Sequence, residues 1–195
     1  IDIDNGMTYE VQTFFTFNRT TTFYVLFISN YSWFHELLQK AGLYNASTNS
    51  YTFLNQGEEY TVFIPSQAAL ENYQVDTLST SELQAFLKYH FVSGGLIFTD
   101  GKQPSGDYST LVEDESSTVF NKIYSKIRIN TGSDFLEFID PENNLYYRLD
   151  ENGNKTNNFI IRKPFTNSTS DWNFITNGVV HQIDTVLVRS KLKIN

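Results

Sequence analysis

Residues 60–70 read YTVFIPSQAAL. Tyr60, Thr61, Val62, Phe63 and Ile64 form an unbroken run of β-branched and aromatic residues, which suits a buried strand. Pro65 has no N–H to give a sheet ladder and stops the run. Ser66 is a residue type that caps helix N-termini, and it opens a short helix reaching Leu70. A strand that passes into a helix within one residue makes the chain a mixed α and β protein.

The flanking segments extend that reading. Upstream, Phe23, Leu26 and Phe27 fall at helical spacing within residues 22–28. Ser32 is expected to cap a second helix whose apolar stripe, Trp33, Phe34, Leu37 and Leu38, ends at Gly42. Downstream, Thr80-Ser81-Glu82 opens a helix with Leu83, Phe86 and Leu87 on one face, running to Tyr89-His90. From Gly94-Gly95 the period becomes that of strands. Residues 123–130, 135–139, 145–149 and 159–162 are separated by Thr-Gly-Ser, Asp-Pro-Glu-Asn-Asn and Glu-Asn-Gly-Asn turns, the pattern of a hairpin meander. Helices first and antiparallel strands later predict an α+β fold.

Near the C-terminus residues 177–188 read NGVVHQIDTVLV, and residues 5–16 read NGMTYEVQTFFT. Without gaps, Gly6 aligns with Gly178, Val11 with Ile183, Thr13 with Thr185 and Phe15 with Leu187. Asn-Gly favours positive φ, so each copy predicts a tight turn followed by a strand with one buried face. The echo predicts that residues 1–20 are a linker or the last strand of a preceding unit, and that residues 21–195 form one domain.

The chain has 195 residues, enough for a substantial core without metal or disulfide staples. Its net charge is -8, and no Lys/Arg cluster exceeds the pairs Arg162-Lys163 and Lys191-Lys193. Nucleic acid is a poor partner, because such binding rests on a dense cationic surface. There is no cysteine, which removes disulfides, thiol nucleophiles and Cys-based metal sites. The longest apolar run, residues 23–28, is too short to cross a membrane as a helix. The opening Ile1-Asp2-Ile3-Asp4 is neither a Met start nor a basic leader, so the expectation is a mature fragment with any signal or anchor outside it. Asn-x-Ser/Thr at Asn18, Asn30, Asn45, Asn154 and Asn167 permits glycosylation without arguing for it.

Four segments occur in one order: TFYVLFISNYSWFHELLQKAGL (22–43), TVFIPSQAAL (61–70), LKYHFVSGGL (87–96) and NGVVHQIDTVLV (177–188). In that order and context the chain resembles the fasciclin-like domain family over residues 22–190. The resemblance implies a wedge of two β-sheets flanked by short helices, tandem occurrence, and an adhesive role on extracellular or cell-surface proteins. On that basis residues 1–20 look like the end of a preceding fasciclin-like domain. Thr61, Pro65, Ser66, Tyr89, His90, Asn177, Gly178 and His181 are the motif positions and read as structural. Ala68 stands where the family commonly has an acidic residue. The span from His90 to Asn177 is longer than usual, with the surplus placed as a projecting hairpin insertion at residues 133–165. An integrin-binding role linked to the Tyr-His region of animal members is not carried over.

Little in the residues favours catalysis. His35, His90 and His181 have apolar neighbours, which suits buried histidines bonded to backbone or hydroxyl groups. No H-E-x-x-H, G-x-S-x-G, Walker loop or dinucleotide fingerprint occurs. Residues 150–154 faintly resemble a calcium loop, but Lys155 and Ile161 stand at its sixth and twelfth positions, which call for Gly and Glu. The acidic run Glu113-Asp114-Glu115 reads as a solvated turn. Tyr146, Tyr147, Arg148, Phe165 and Trp172 gather around the insertion, where flat aromatic faces suit a sugar or a protein. The expectation is a non-catalytic interaction module without cofactor or metal, binding a protein or glycan, secreted or lipid-anchored to a bacterial outer membrane. A membrane would be met only through an anchor outside the chain. The alternatives are a glycan-active enzyme, since two carboxylates suffice for that chemistry, and an architectural spacer.

Overall fold

The computed structural model describes residues 23–55, 57–132, 135–140 and 178–189, and the paired backbone of segments 2–3, 6–7, 148–149, 155–156, 160–162 and 174–175. Four helices precede most of the sheet: α1 (Phe23–Asn30), α2 (Ser32–Lys40), α3 (Gln67–Asn72) and α4 (Thr80–Tyr89). The main sheet contains β1 (Tyr60–Pro65), β2 (Phe91–Ser93), β3 (Gly106–Glu113), β4 (Tyr124–Gly132), β5 (Phe135–Ile139), β6 (Ile160–Arg162) and β7 (Gly178–Ile183). Its order is β6-β7-β1-β2-β3-β4-β5, with β7 and β1 parallel and the other neighbours antiparallel. Phe174–Ile175 adds a short antiparallel pair to β7, and Tyr44–Asn45 pairs with Ser50–Tyr51 in a small separate hairpin. The expected α+β class is observed.

Helix boundaries follow local chemistry, with two corrections. Ser32 is the first residue of α2 and not its cap. Tyr31 holds the cap position but its side chain does not cap the helix, and its N–H donates to Phe27 O at 2.8 Å. The Tyr31 ring is fully buried and meets Trp33 edge-on, and that burial outweighs the ~1 kcal/mol a serine cap supplies. At the far end Gly42 adopts φ +70°, its N–H donates to Gln39 O, and Leu43 N–H donates to Leu38 O, the paired bonds of a Schellman stop. Ser66 caps α3 as expected by accepting Ala69 N–H at 3.2 Å. For α4 the cap is Ser79, one residue before the expected start, in a reciprocal box with Glu82.

Both faces of β1 are covered, and all six of its residues are buried. Tyr60, Val62 and Ile64 pack with Phe91 and Val180 against Phe23, Phe27, Phe34, Leu38, Phe86 and Leu87 of the helices. On the other face Phe63 packs with Ile127, Ile129, Leu136, Phe138 and Ile183. The Phe63 and Phe138 rings lie 4.9 Å apart. Their strands, β1 and β5, are separated by three others, which in a flat sheet would place them about 19 Å apart at ~4.8 Å per step. The sheet therefore curls until its end strand β5 faces β1. The curled main sheet, the small separate sheet and the short flanking helices form the expected wedge.

Two described stretches of residues 133–165, expected to project as an insertion, belong to the main sheet. Phe135–Ile139 is the terminal strand of the main sheet, and Leu136 and Phe138 are completely buried. Ile160–Arg162 pairs with β7 on the sheet's other edge. Between them, Arg148–Leu149 pairs with Lys155–Thr156 in a local hairpin. Strands β2 and β3 had no counterpart in the periodicity: β2 spans three residues, and β3 mixes Asp107, Ser109 and Thr110 with its apolar positions. In the N-terminal segment the paired residues are Asp2–Ile3 with Gly6–Met7; the rest of the expected strand lies outside the described residues.

Candidate functional site

The motif residues converge on two irregular segments that they pin to the sheet. Thr61 and His181 project from adjacent parallel strands onto the face that carries Phe63. Thr61 Oγ1 donates to Gly95 O and accepts from Ile97 N–H, both at 2.9 Å. His181 Nε2 lies 2.7 Å from Ile97 O, and because a carbonyl only accepts, that nitrogen carries the proton. The His181 ring stacks on Phe63 at 5.5 Å with a 15° interplanar angle. A hydroxyl and an imidazole thus supply backbone bonds to a stretch that no strand satisfies.

His90 serves the C-terminal segment in the same way. It is the C-cap of α4 and is fully buried. Its Nδ1 donates to Phe86 O at 2.9 Å, a helix-end carbonyl, while Nε2 accepts Leu187 N–H at 3.0 Å. The two contacts fix one neutral tautomer, and burial pushes the pKa down to about 4. Tyr89 is also buried, and its hydroxyl donates to Lys126 O at 3.4 Å. The third histidine, His35, is buried with Nδ1 2.7 Å from the Tyr51 hydroxyl, and burial lowers its pKa as well.

Gly178 has a different role from the expected positive-φ turn. It is the first residue of β7, pairs with Tyr60 and Ile175, and is not among the described glycines with positive φ. A Cβ there would lie 2.2 Å from Phe23 Cζ and 3.0 Å from Tyr60 O. The glycine makes room for an aromatic ring that closes the helical face over the sheet. Pro65 ends β1 opposite Ile183, and Ser66 N–H donates to Ile183 O at 2.7 Å, so the strand-to-helix turn is tied to the last strand. Asn177 lies outside the described residues.

Of the residues expected to contact a ligand, Tyr146, Tyr147, Phe165 and Trp172 lie outside the described residues. The Arg148 backbone pairs with Thr156. A concavity absent from the sequence reading lies between α2 and α3. It is a groove of about 400 Å3 lined by Trp33, Glu36, Lys40, Gln67, Glu71 and Gln74, with Leu37, Leu70 and Val75 at its floor and Asp76 at the rim. Trp33 Nε1 donates to Pro65 O at 3.1 Å, which fixes its ring. Lys40 and Asp76 bridge the groove's end at 2.7 Å, and Gln74 adopts φ +57°, rare for a non-glycine residue. Trp33 and Leu37 belong to the apolar stripe whose spacing signalled α2, but the partner wall comes from a distant segment.

Among the described residues no group of three His, Asp or Glu side chains is arranged to hold a metal ion. Among them too, no helix is long and apolar enough to cross a membrane. Comparison with protein families matches residues 29–189 to the fasciclin domain, a family generally made of non-catalytic, extracellular or cell-surface adhesion modules. A search among curated proteins found no significant match.

Proposed function

The chain belongs to the fasciclin domain family, and on that premise we propose that it is a non-catalytic adhesion module binding a protein ligand at the cell surface. The observation that carries this reading is the commitment of the motif side chains. His90 and His181 are fully buried and spend ring nitrogens on backbone groups, and Thr61 spends its hydroxyl likewise. A general base must reach a substrate proton and titrate near the working pH. His90, held neutral down to about pH 4 inside the core, does neither. These groups build a rigid frame, and binding falls to what the frame displays.

A second reading, a glycan ligand, is favoured by the groove between α2 and α3. A fixed Trp33 beside carboxylate and amide groups offers an apolar face for a sugar ring and acceptors for its hydroxyls. Tyr146, Tyr147, Arg148, Phe165 and Trp172 belong to the same proposal as a further contact region. So do a preceding tandem domain and a lipid anchor outside residues 1–195, which the mass and lipid labelling of the protein from its source cells would test. The chain should be screened in parallel on arrays of extracellular proteins and of glycans, with release of reducing ends measured on the same polysaccharides. Saturable binding without turnover is the expected result. Turnover would replace the proposal with a glycan-active enzyme, and silence on both arrays would leave the architectural spacer.

A further inference from the structure

The connection between β3 and β4 breaks the usual chemistry of a turn. Thr118 N–H donates to Asn121 O at 2.9 Å and Asn121 N–H donates to Thr118 Oγ1 at 3.0 Å, so residues 118–121 form a closed turn. Its two central positions ordinarily take Gly, Asn, Asp or Pro. Here they are Val119 and Phe120, which are 87% and 100% exposed. Ile123 and Tyr124, at 40% and 37%, continue the apolar surface toward β4. Six large apolar residues are exposed among the described residues, and four of them fall in this six-residue stretch. Scattered exposed apolar residues need no explanation, but a cluster at the point of a hairpin does.

The tip is held firmly. Ser117 Oγ donates to Ile123 O at 2.6 Å and accepts Ile123 N–H at 2.9 Å, and Asp114 N–H donates to Ile123 O at 2.8 Å. Lys122 pairs with Glu113 at 2.6 Å, and Arg189, beside the pinned C-terminal segment, pairs with Asp114 at 3.1 Å. Folding gains nothing from a fully exposed phenylalanine, yet the loop is built to present it in one place. A local rule broken without compensation inside the fold is the mark of a residue kept for binding. A prepositioned aromatic anchor also loses little conformational freedom when it docks.

We propose that Val119 and Phe120 are the anchor of a protein–protein interface, inserting into an apolar pocket bordered by Lys and Arg on the partner. Charge decides the occupant: Glu113, Asp114 and Glu115 are answered at the tip by Lys122 and Arg189, one negative charge in excess, on a chain of net charge -8. That acidic excess disfavours an anionic lipid surface, and it disfavours a second copy of this chain, whose own groove carries Glu36, Glu71 and Asp76 against the single cation Lys40. The proposal rests on the reading of the chain as a binding module and names the surface that binds.

The experiment uses the whole chain. A random linear peptide library is panned on wild type, and the enriched peptides are synthesised and titrated against wild type, the Val119→Ser/Phe120→Ser double variant and an Ile28→Ser control. Positions this exposed leave the melting transition in place when changed, so lost binding reads the surface and not the fold. The expected result is peptides combining aromatic or aliphatic residues with Lys or Arg. They should bind the double variant at least about 30-fold more weakly, the scale of a hot spot, and the control normally. Peptides that bind the double variant as tightly as wild type overturn the assignment while leaving a binding module in place. A selection that yields no peptide overturns it also, and the protein and glycan arrays then decide separately whether the module binds anything. Vesicles of phosphatidylcholine, with and without phosphatidylserine, and sedimentation over a range of concentrations complete the set. Vesicle binding or self-association abolished by the double variant would give the tip to a lipid surface or to a second copy, and either result refutes the protein pocket.

Discussion

Replacing His90 with phenylalanine separates hydrogen bonding from packing at a fully buried polar side chain of the motif set. Phenylalanine keeps a ring of similar size in a site already lined by Phe86, whose ring centroid lies 4.8 Å from that of His90. It removes both the donor to Phe86 O and the acceptor of Leu187 N–H. Each orphaned buried group costs about 1–3 kcal/mol, so His90→Phe should lower the free energy of unfolding by about 2–6 kcal/mol near neutral pH. Acid adds a second signature. The folded-state pKa of about 4 lies below the ordinary histidine value of about 6.5, so between those values the unfolded chain holds a proton that the folded chain refuses. This penalty is absent above the unfolded value and grows as pH falls, reaching about 2 kcal/mol near pH 5. The unprotonated nitrogen is Nε2, the acceptor of Leu187 N–H, and protonating it sets a donor against that N–H. Urea unfolding of wild type and variant near pH 7.5 and near pH 5 measures both effects. The variant should be less stable at the higher pH and should lose about 2 kcal/mol less than wild type on acidification. Wild-type stability in His90→Phe, or an unchanged acid dependence, would refute the clasp as described.

Three further changes probe other parts of the frame. Gly178→Ala puts a Cβ into the Phe23 ring and against Tyr60 O, and should cost about 1–3 kcal/mol in thermal unfolding even though the residue's φ suits alanine. Thr61→Val keeps the shape but leaves Ile97 N–H without its acceptor; it should cost about 1–3 kcal/mol and speed amide exchange at Ile97. Phe138→Ala should cost about 3–5 kcal/mol by chemical denaturation, because its ring closes the curl against Phe63, whereas a strand in a dispensable insertion would tolerate it.

What could be read from the sequence, and what could not, divides by the distance over which each decision is made. Pro65 ends a strand and Gly42 ends a helix because of their own covalent geometry, so one residue is sufficient to see each. Ser66 acts across three residues and was equally visible, and the Ser79 box was missed by a single position because Thr80 and Ser81 are cap types too. The role of Gly178 depends on Phe23, nearly the whole chain away, so the Asn-Gly dipeptide suggested a turn where the fold required space. Likewise alternation within residues 135–139 announced a strand but not its place, and only the curl that brings Phe138 onto Phe63 turns it from ornament into core. The histidines were legible as structural because apolar neighbours imply burial, yet their partners, Ile97 and Leu187, lie in irregular segments that no periodicity marks. The hairpin tip is the reverse case. Thr118-Val119-Phe120-Asn121 resembles ordinary strand sequence, and its interest arises only once the backbone turns there and leaves the phenylalanine fully in water. Motifs that carry a fold are therefore recognisable from residue types in order, whereas a binding surface emerges where residue type and local conformation disagree. In this molecule that disagreement lies at residues 119 and 120 and away from the Tyr89-His90 pair, which the helix end, the curled sheet and the C-terminal segment already occupy.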